Sequence, residues 1–359
     1  MVYKVLFISD LHFKINNNEY INAFIEETLS VIKNNKFSLC VMAGDLLDTH
    51  EKIHQTPYNK VISFIDDVRS HLPVVILVGN HDYENNQQFL TDKHWLNPLK
   101  MWKNVKIVDK VFCDLENYIT YVPYVPPGRF IEALNNETKT TECWKKSKII
   151  FAHQEFKGCD LGIQKSEHGD KWDLSYPLVV SGHIHKAHSP QKNIIYPGSI
   201  IQHNFGEESN TETGLYIICF GIKNKDEDEN ILTNMTSDME ILKSYRIHID
   251  IPSMRSIDSN YNDFKQVLKK LQNLRPLERV RINVYGSSED FKAIRKTKEY
   301  LSLPFGIKVS FRLKQDNICK ENIPKEQLTY ITFEKTLLKM LEEKKLTNFF
   351  HEKILSCKV

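Results

Sequence analysis

Five short apolar runs of this chain each end in side chains of the types that bind metal ions. The runs end as ISDLH with Asp10 and His12, AGD with Asp45, GNHD with Asn80 to Asp82, AH with His153, and GHIH with His183 and His185. Short, continuously apolar runs are typical of strands that are buried on both faces of a parallel sheet. Since the carboxyl ends of parallel strands lie along one edge of a sheet, we expect these ligands to converge on one crevice.

The stretches between the runs favour helices. Apolar residues recur at helical spacing from Tyr20 to Ile32 and again from Tyr58 to Val68, so the N-terminal part has a β-α-β-α-β order. Later strand candidates are joined by connections too short for crossover helices, and antiparallel strands are therefore expected at the sheet edges. The predicted fold class is α/β.

Composition divides the chain into four parts. Residues 1–222 carry the apolar runs and form the predicted main domain, and the polar, acidic stretch 223–242 is predicted to be a linker. Residues 243–316 predict a small α+β capping domain, and residues 324–359 predict a helical tail. The elements expected in the cap are strands 245–251, 279–285 and 306–313 and helices 260–274 and 289–302.

The helical tail carries many large apolar side chains. They are Leu328, Ile331, Leu338, Leu341, Phe349, Phe350 and Ile354. Two short helices cannot bury this many apolar groups against each other. Either a partner protein or the capping domain is therefore expected to cover them.

Charge is unevenly distributed. The formal net charge is +2, but residues 241–315 contain 16 Lys and Arg against 7 Asp and Glu, a net of +9. The remainder of the chain is consequently acidic. The basic module is either a solvated helical surface or a surface that contacts a phosphate backbone.

The cysteines and the N-terminal sequence indicate the cellular compartment in which the protein is expected. Seven cysteines, odd in number and without a CxxC pair, favour reduced thiols and an intracellular protein. The N-terminal run VLFI is too short for a secretory signal or a membrane span. No disulfide bonds and no membrane association are expected.

The candidate ligands favour a pair of divalent metal ions. They are Asp10, His12, Asp45, Asn80, His153, His183 and His185. Histidine, carboxylate and amide donors without cysteine suit manganese, iron or catalytic zinc rather than structural zinc. Seven donors exceed the needs of one ion but fit two ions that share a carboxylate, an arrangement suited to phosphoester hydrolysis.

Three residues beside the ligands have predicted supporting roles. His81 is the candidate general acid for the leaving oxygen. Asp82 is expected either to accept a hydrogen bond from the His81 ring or to cap a following helix, and Asp48 to orient a ligand. Three further histidines lack ligand spacing and are expected to be structural: His50, His188 and His203.

The ordered set ISDLH, GDLLD, GNHD, AH and GHIH, within residues 3–185, resembles the calcineurin-like metallophosphoesterase superfamily. The resemblance implies a four-layer α/β/β/α sandwich and two metal ions. It places Asp10, His12, Asp45 and His185 at one ion, and Asp45, Asn80, His153 and His183 at the other. It also assigns His81 to the phosphate and the leaving group.

Two further segments narrow the resemblance. The stretch GDLLDTH has Thr49 and His50 where protein phosphatases carry a phosphate-binding Arg. The segment IIYPGSIIQHNFGEE, residues 194–208, is similar to the YPGS…FGE stretch of SbcD nucleases and their relatives in the eukaryotic MRN complex. Asp48 also stands where bacterial SbcD-type chains have Asp and archaeal and eukaryotic relatives have His.

That resemblance implies a manganese-dependent DNA nuclease, with magnesium as the second choice of metal. Such an enzyme would degrade duplex ends and cut single strands in DNA repair and recombination, as the subunit of a complex with an SbcC-like, SMC-like coiled-coil ATPase. The tail would bind the ATPase and the cap would contact DNA. The helix at 58–68 would form a homodimer bundle, or its apolar stripe would face the sheet instead.

Two other functions remain open on the sequence. One is a stand-alone phosphodiesterase for nucleotides or small phosphoesters with the same two-metal chemistry. The other is a metal-free scaffold, which the complete ligand set disfavours. The location would be cytoplasmic for a bacterial, phage or viral protein and nuclear for a eukaryotic one. The composition, rich in Lys and Asn, suits a phage or a large DNA virus, and the 156–172 loop is a candidate substrate-facing segment.

Overall fold

The computed structural model describes residues 2–50, 52–137, 143–162, 164–207, 214–223, 231–271, 273–304 and 306–313. The predicted tail at 324–359 lies outside the described residues, as does the stretch 224–230 of the expected linker.

The N-terminal elements follow the predicted β-α-β-α-β order. The strands are β1 (Tyr3–Ile8), β2 (Leu39–Met42), β3 (Val74–Leu77), β4 (Val105–Val108), β5 (Phe112–Asp114), β6 (Ile119–Val122), β7 (Ile149–His153), β8 (Leu178–Gly182), β9 (His188–Gln191), β10 (Ile194–Tyr196), β11 (Leu215–Gly221), β12 (Glu240–Ile247), β13 (Met254–Asn260), β14 (Arg279–Gly286) and β15 (Ile307–Leu313). The helices are α1 (Asn18–Asn34), α2 (Gln55–Arg69), α3 (Phe130–Glu137), α4 (Phe264–Lys270), α5 (Ser288–Arg295) and α6 (Lys298–Leu301). Short 3-10 helices span Ile15–Asn17, Asn97–Met101, Cys143–Lys146 and Tyr261–Asp263.

Two six-stranded sheets form the main domain. The first has the order β12-β11-β1-β2-β3-β4, and the second has the order β5-β6-β7-β8-β10-β9. β1 to β4 run parallel to one another, as do β6, β7, β8 and β10. The remaining strands join antiparallel at the edges. The prediction of parallel strands with antiparallel edges is confirmed.

The two sheets pack face to face between two helical layers. Side chains of alternate positions in β1, such as Val5 and Phe7, meet Phe151 of the second sheet in the central core. The other face of β1, with Leu6 and Ile8, packs against α1 and α2. α3 covers the outer face of the second sheet. The predicted α/β/β/α sandwich is confirmed. Because β1 is buried on both faces from Val5 to Ile8, that part of its sequence is continuously apolar.

The apolar stripe of α2 faces this core. Val61, Ile65 and Val68 are fully buried in the single chain, and Tyr58 and Ile62 pack beside them. Of the two alternatives for this helix, a homodimer bundle or packing against the sheet, the structure supports packing against the sheet. Among the described residues no helix is both long enough and apolar enough to cross a membrane.

The main domain extends further along the chain than its composition predicted. The strand expected at 245–251 as the first strand of the cap is instead β12, which pairs antiparallel with β11 in the first sheet. Met235 and Met239, within the predicted linker, are buried between the two sheets. A polar sequence can therefore still belong to a folded domain when a few apolar side chains anchor it.

The capping domain is a three-stranded parallel sheet, β13-β14-β15. β13 was not predicted, and the helix expected at 289–302 is two short helices, α5 and α6. One face of the sheet packs Val280, Ile282 and Val284 against the helices. The other face is turned toward the main domain. On that face, Arg279 lies over the Tyr20 ring and Arg281 lies over the Phe205 ring.

One cysteine pair corrects the expectation of reduced thiols. Cys113 of β5 and Cys143 form a disulfide bond, with Cα atoms 6.4 Å apart. The two residues are 30 positions apart in sequence, and tertiary packing alone brings the sheet edge to the 3-10 helix that begins at Cys143. Connectivity of this kind cannot be read from cysteine spacing.

Candidate metal centre

All five ligand-bearing runs end on one side of the sandwich, but they come from two sheets. β1, β2 and β3 of the first sheet precede Asp10, Asp45 and Asn80, whereas β7 and β8 of the second sheet present His153 and His183. The expectation that the ligands line the edge of one sheet is therefore wrong. The crevice forms where the carboxyl ends of the central parallel strands of two facing sheets meet.

Four site residues have strained backbone conformations. Asp10, His12, Asp45 and His183 have φ values of 55°, 43°, 53° and 80°. Residues other than glycine rarely adopt positive φ, and such strain concentrates at functional sites. Backbone hydrogen bonds hold the first two ligand loops together: the N–H of His12 donates to the carbonyl of Asp45 at 2.9 Å. The loops are thereby fixed before any ligand binds.

Two glycines allow the loops to approach closely. A Cβ atom on Gly79 would lie 2.3 Å from Oδ1 of Asp45, and a Cβ atom on Gly44 would lie 2.6 Å from Nδ1 of His153. Gly44 also has a φ of 89°, a conformation that costs glycine little. Larger residues at either position would push the ligand side chains apart.

One group of donors surrounds His12. Its Nε2 atom lies 3.2 Å from Nε2 of His185 and 3.6 Å from Oδ2 of Asp45. Nε2 of His185 in turn lies 4.0 Å from Oδ1 of Asp10. Asp10 is held by the backbone N–H of His183, which lies 3.1 Å from each of its carboxylate oxygens. Two imidazoles and two carboxylates thus lie close together.

A second group of donors surrounds Asn80. Its Oδ1 atom lies 3.0 Å from Nε2 of His153 and 2.9 Å from Nδ1 of His183. Oδ2 of Asp45, the oxygen that faces His12, also lies 3.4 Å from Nε2 of His153. Asp45 therefore lies between the two groups. The structure brings all seven predicted ligands together in one crevice, and their division between two ions stays a prediction.

Hydrogen bonds behind the ligands set their orientation. Oδ1 of Asp45 accepts from the backbone N–H of His81 at 2.8 Å, which leaves Oδ2 for the two donor groups. Nδ1 of His153 donates to the carbonyl of Ala43 at 2.6 Å, so its Nε2 lone pair points into the site. Such partners fix the tautomer of a metal-ligating histidine.

The pKa values of the buried site residues indicate a site that favours positive charge. Burial alone would lower the pKa of His153, but the negative charge of Asp45 outweighs burial and raises this pKa to about 9. His153 and His12 likewise hold the pKa of Asp45 well below its usual range despite burial. Burial and the neighbouring His153 lower the pKa of His183 to about 4. The centre therefore attracts positive charge, and a cation bound there would take the place of the proton on His153.

The donor sets fit two divalent ions that share Asp45. Both groups consist of imidazole nitrogens and carboxylate or amide oxygens without a thiolate, which suits manganese, iron or catalytic zinc. Asp10, His12, Asp45 and His185 would hold one ion, and Asp45, Asn80, His153 and His183 would hold the other. A pair of ions in such a site stabilises the attacking and leaving oxygens of a phosphoryl displacement.

His81 stands beside the first donor group. Its ring packs edge-on against His12, with centroids 4.8 Å apart, and stacks on His50 at 4.7 Å. Nδ1 of His81 donates to the backbone carbonyl of Asp48 at 2.9 Å, so Nε2 is the atom that can gain or release a proton. The Asp48 carboxylate lies 3.4 Å from Nδ1 of His12 and 3.2 Å from Lys14. Asp48 thus positions two site histidines at once.

Asp82 has neither of its two predicted roles. Its carboxylate accepts hydrogen bonds from backbone N–H groups of Asp45 (2.9 Å), Gly79 (3.0 Å) and Leu46 (3.2 Å) and from Nε1 of Trp95 (2.9 Å). Asp82 therefore ties the Asp45 loop to the Asn80 loop instead of capping a helix or contacting the His81 ring. Burial and the adjacent charge of Asp45 raise the pKa of this carboxyl.

His203 is a site residue that spacing did not reveal. Its Nε2 atom lies 2.7 Å from the carbonyl of Asp10 and 2.8 Å from Oγ of Ser199. The ring lies 4.8 Å from that of His12. Burial, followed by the nearby His12 and His185, lowers the pKa of His203 well below its usual range. This neutral imidazole supports the Asp10 loop and was expected to be only structural.

Glu207 and Tyr124 were also missed. Glu207 accepts from Nδ1 of His185 at 3.1 Å and from the backbone N–H of His203 at 2.8 Å. The Tyr124 ring lies over His183, with centroids 5.7 Å apart. The only sequence signal for Glu207 was its place in the YPGS…FGE segment, since a single Glu in a polar loop carries no pattern of its own.

Comparisons with known proteins agree with this geometry. The family model of the calcineurin-like phosphoesterases matches residues 3–187. The chain is 48% identical over 302 residues to "Putative phosphoesterase 244L" of Invertebrate iridescent virus 6, covering 82% of this chain and 98% of the relative. It is 41% identical over 314 residues to "Putative phosphoesterase 078R" of Invertebrate iridescent virus 3, covering 86% and 84%.

A solved structure aligns far more weakly. The crystal structure of Pseudomonas putida nuclease MPE covers 59% of this chain and 83% of its own, with 15% identity and a TM-score of 0.29. This similarity is too weak to bear on the activity of the present protein. The family model and the two viral relatives show that this chain belongs to the calcineurin-like phosphoesterase family.

Proposed function

We propose that this protein is a two-metal phosphodiesterase that cleaves DNA, degrading duplex ends and cutting single strands. The observation that carries the phosphodiesterase chemistry is the position of Asp45, whose Oδ2 atom faces His12 at 3.6 Å and His153 at 3.4 Å. One carboxylate shared by two donor groups is the arrangement that a pair of catalytic ions requires. Manganese is the metal we expect in the cell, with magnesium as the second choice.

His81 is the proposed general acid. Its Nδ1–H is committed to the carbonyl of Asp48, so only Nε2 can carry the transferred proton. Packing against His12 and His50 fixes the ring plane. A ring held in this way can deliver a proton to the leaving oxygen without first reorienting.

Basic side chains on the capping domain support DNA as the substrate. The register of β14 and β15 places Arg279, Arg281, Lys308 and Arg312 on the sheet face opposite the helices. Arg281 on that face donates to the carbonyl of Phe205 at 3.2 Å, within the loop that contains Glu207. Positive charge therefore borders the metal centre, where it would contact phosphates flanking the cleaved bond.

The proposed partner is an SMC-like coiled-coil ATPase of the SbcC type, bound through the apolar helices of residues 324–359. This proposal rests on the sequence of the tail, because those residues lie outside the described structure. A homodimer is also proposed, but not through the stripe of α2, since Val61, Ile65 and Val68 are buried in the single chain. Repair and recombination of DNA breaks would be the process in which such a complex acts.

A stand-alone phosphodiesterase for nucleotides or small phosphoesters is the second candidate. The names of the two viral relatives specify a phosphoesterase and no substrate, so the relatives support the chemistry without choosing between the two candidates.

The test compares wild type with Asp45→Asn, His81→Ala and His71→Ala in the presence of manganese. The substrates are linear duplex DNA, single-stranded circular DNA and a chromogenic phosphodiester. We expect wild type and His71→Ala, which alters an exposed histidine at the end of α2, to cut both DNA substrates. Asp45→Asn should cut none of the three. Activity confined to the chromogenic ester would reject the nuclease proposal and favour the second candidate.

A further inference from the structure

A pocket opens directly beside the metal centre. Its volume is about 480 Å³, and its walls come from three segments: residues 160–162, residues 183–186, and the loop that contains Asn204 and Glu207. His183 and His185, one from each donor group, form part of its lining. A group that occupies the pocket would therefore be attached to the phosphate that reacts.

The 156–172 loop, which forms one wall, is held in place by several hydrogen bonds. The backbone N–H of Asp160 donates to Nε2 of His188 at 2.9 Å, and the Asp160 carboxylate pairs with Lys186 at 2.7 Å. Within the loop, Gly158 and Cys159 bond to Ser166 at 2.8 Å each. His188 and Lys186 belong to the segment that follows the ligand His185, so the wall keeps a fixed distance from the metal centre.

The base of this loop is anchored in the core. Phe156 is fully buried, and its N–H donates to the Tyr196 hydroxyl at 2.8 Å. Nε1 of Trp172 donates to the carbonyl of Pro177 at 2.9 Å. The pocket is therefore preformed, which is the usual state of small-molecule sites.

The lining combines apolar and polar side chains in a way that suits a nucleoside. Leu161 and Ile184 supply apolar surface, while Asn204 and the Asp160–Lys186 pair supply polar groups at its edge. Apolar walls with a few placed polar groups suit a flat heterocycle that carries hydrogen-bonding atoms. A volume of about 480 Å³ holds one nucleotide but not a stacked base pair, so a base must leave the stack to enter.

We infer that this pocket receives the nucleoside attached to the reacting phosphate, so that the enzyme acts on an unpaired nucleotide. The inference rests on the proposed function, because it names the part of the substrate that the same centre holds. Leu161 is the wall residue best suited to a test, because it lines the pocket and is 43% exposed to solvent.

Two esters with the same leaving group test the inference. Thymidine 5′-(p-nitrophenyl phosphate) carries a nucleoside, whereas methyl p-nitrophenyl phosphate does not. Leu161→Trp fills the pocket, and Leu174→Trp adds the same ring at an exposed leucine outside the lining. We expect Leu161→Trp to raise KM for the thymidine ester by about tenfold or more and to leave KM for the methyl ester unchanged. Leu161→Ala should raise KM for the thymidine ester less, and Leu174→Trp should change neither KM.

Binding gives a readout that does not depend on catalysis. Calorimetry should show thymidine 5′-monophosphate binding to wild type and Leu174→Trp, with about tenfold weaker binding to Leu161→Trp. Circular dichroism would establish that each variant is folded. Equal effects of Leu161→Trp on both esters, or equal binding of the nucleotide by wild type and Leu161→Trp, would overturn the inference. Absence of binding to wild type would overturn it as well.

The two proposals fail in different ways. If wild type hydrolyses neither ester, the proposed phosphodiesterase function is rejected, while the binding measurement still decides the pocket. If wild type hydrolyses both esters and the Leu161 variants behave like wild type, the function stands and the nucleoside pocket does not.

Discussion

Oε1 of Glu207 lies 3.1 Å from Nδ1 of His185, so a carboxylate stands directly behind the imidazole of a predicted metal ligand. The bond directs Nε2 of His185 toward His12, whose Nε2 atom is 3.2 Å away. It also makes the His185 ring a stronger donor, because the carboxylate stabilises positive charge on the imidazole. The glutamate therefore belongs to the centre although it is remote in sequence from the metal motifs.

Glu207→Gln should weaken metal binding without unfolding the protein. Loss of the carboxylate behind a ligand typically lowers metal affinity by about 10- to 100-fold. Isothermal titration with Mn²⁺ should detect this rise in dissociation constant for one of the two ions. Glu167→Gln, which alters an exposed glutamate, serves as the control. Manganese affinity equal to that of wild type in Glu207→Gln would exclude the orienting role.

His81→Ala should reduce kcat most for substrates whose leaving oxygen must be protonated as it departs. With DNA, whose leaving alkoxide is basic, we expect a loss of about 10²- to 10⁴-fold. With a p-nitrophenyl ester the loss should be much smaller, since p-nitrophenolate leaves without a proton. Metal content, measured by mass spectrometry, should match that of wild type. Equal losses on both substrates would argue against His81 as the general acid.

Asp82→Ala should destabilise the fold as well as the site. The buried Asp82 carboxylate accepts hydrogen bonds from two ligand loops, and its removal leaves several buried N–H groups without acceptors. Each unsatisfied group costs about 1–3 kcal/mol, so we expect a loss of at least about 3 kcal/mol in the free energy of unfolding. Urea denaturation of the metal-free protein measures it. Asp67→Ala, at an exposed position, should change stability by less than about 0.5 kcal/mol.

Asp109 should make stability depend on acid pH. Burial opposes its ionisation, but hydrogen bonds from His94 and Lys100 outweigh burial and lower the pKa of Asp109 to about 2. Because an unfolded Asp has a pKa near 3.9, the stabilisation is complete above about pH 5 and is largely lost as the pH falls toward 2.

The corresponding variant is Asp109→Asn. Its free energy of unfolding should be lower than that of wild type by about 1–2 kcal/mol at pH 7, and the two curves should converge near pH 2. Asp92→Asn, at an exposed position, should follow wild type throughout. Urea unfolding at pH 7, 4 and 2.5 would reveal either pattern. A gap between wild type and Asp109→Asn that is as large at pH 2.5 as at pH 7 would contradict the assignment.

The clustering of the candidate ligands could be predicted because metal chemistry depends on residue type and because strand ends are a local property. The runs that end at Asp10, Asp45 and His153 are buried on both faces, and burial of that kind leaves a continuous apolar signature in sequence. The α/β class, the parallel order and the sharing of Asp45 all followed from these local features or from the family that they resemble.

Tertiary structure decided what depends on contacts between distant segments. It placed the ligands at the junction of two sheets, joined β12 to the first sheet, and paired Cys113 with Cys143. It also gave Asp82 its role as a tie between loops and brought Glu207 behind His185. Such contacts leave no periodic or local trace, because a single polar residue acquires its role only from the atoms that folding brings around it.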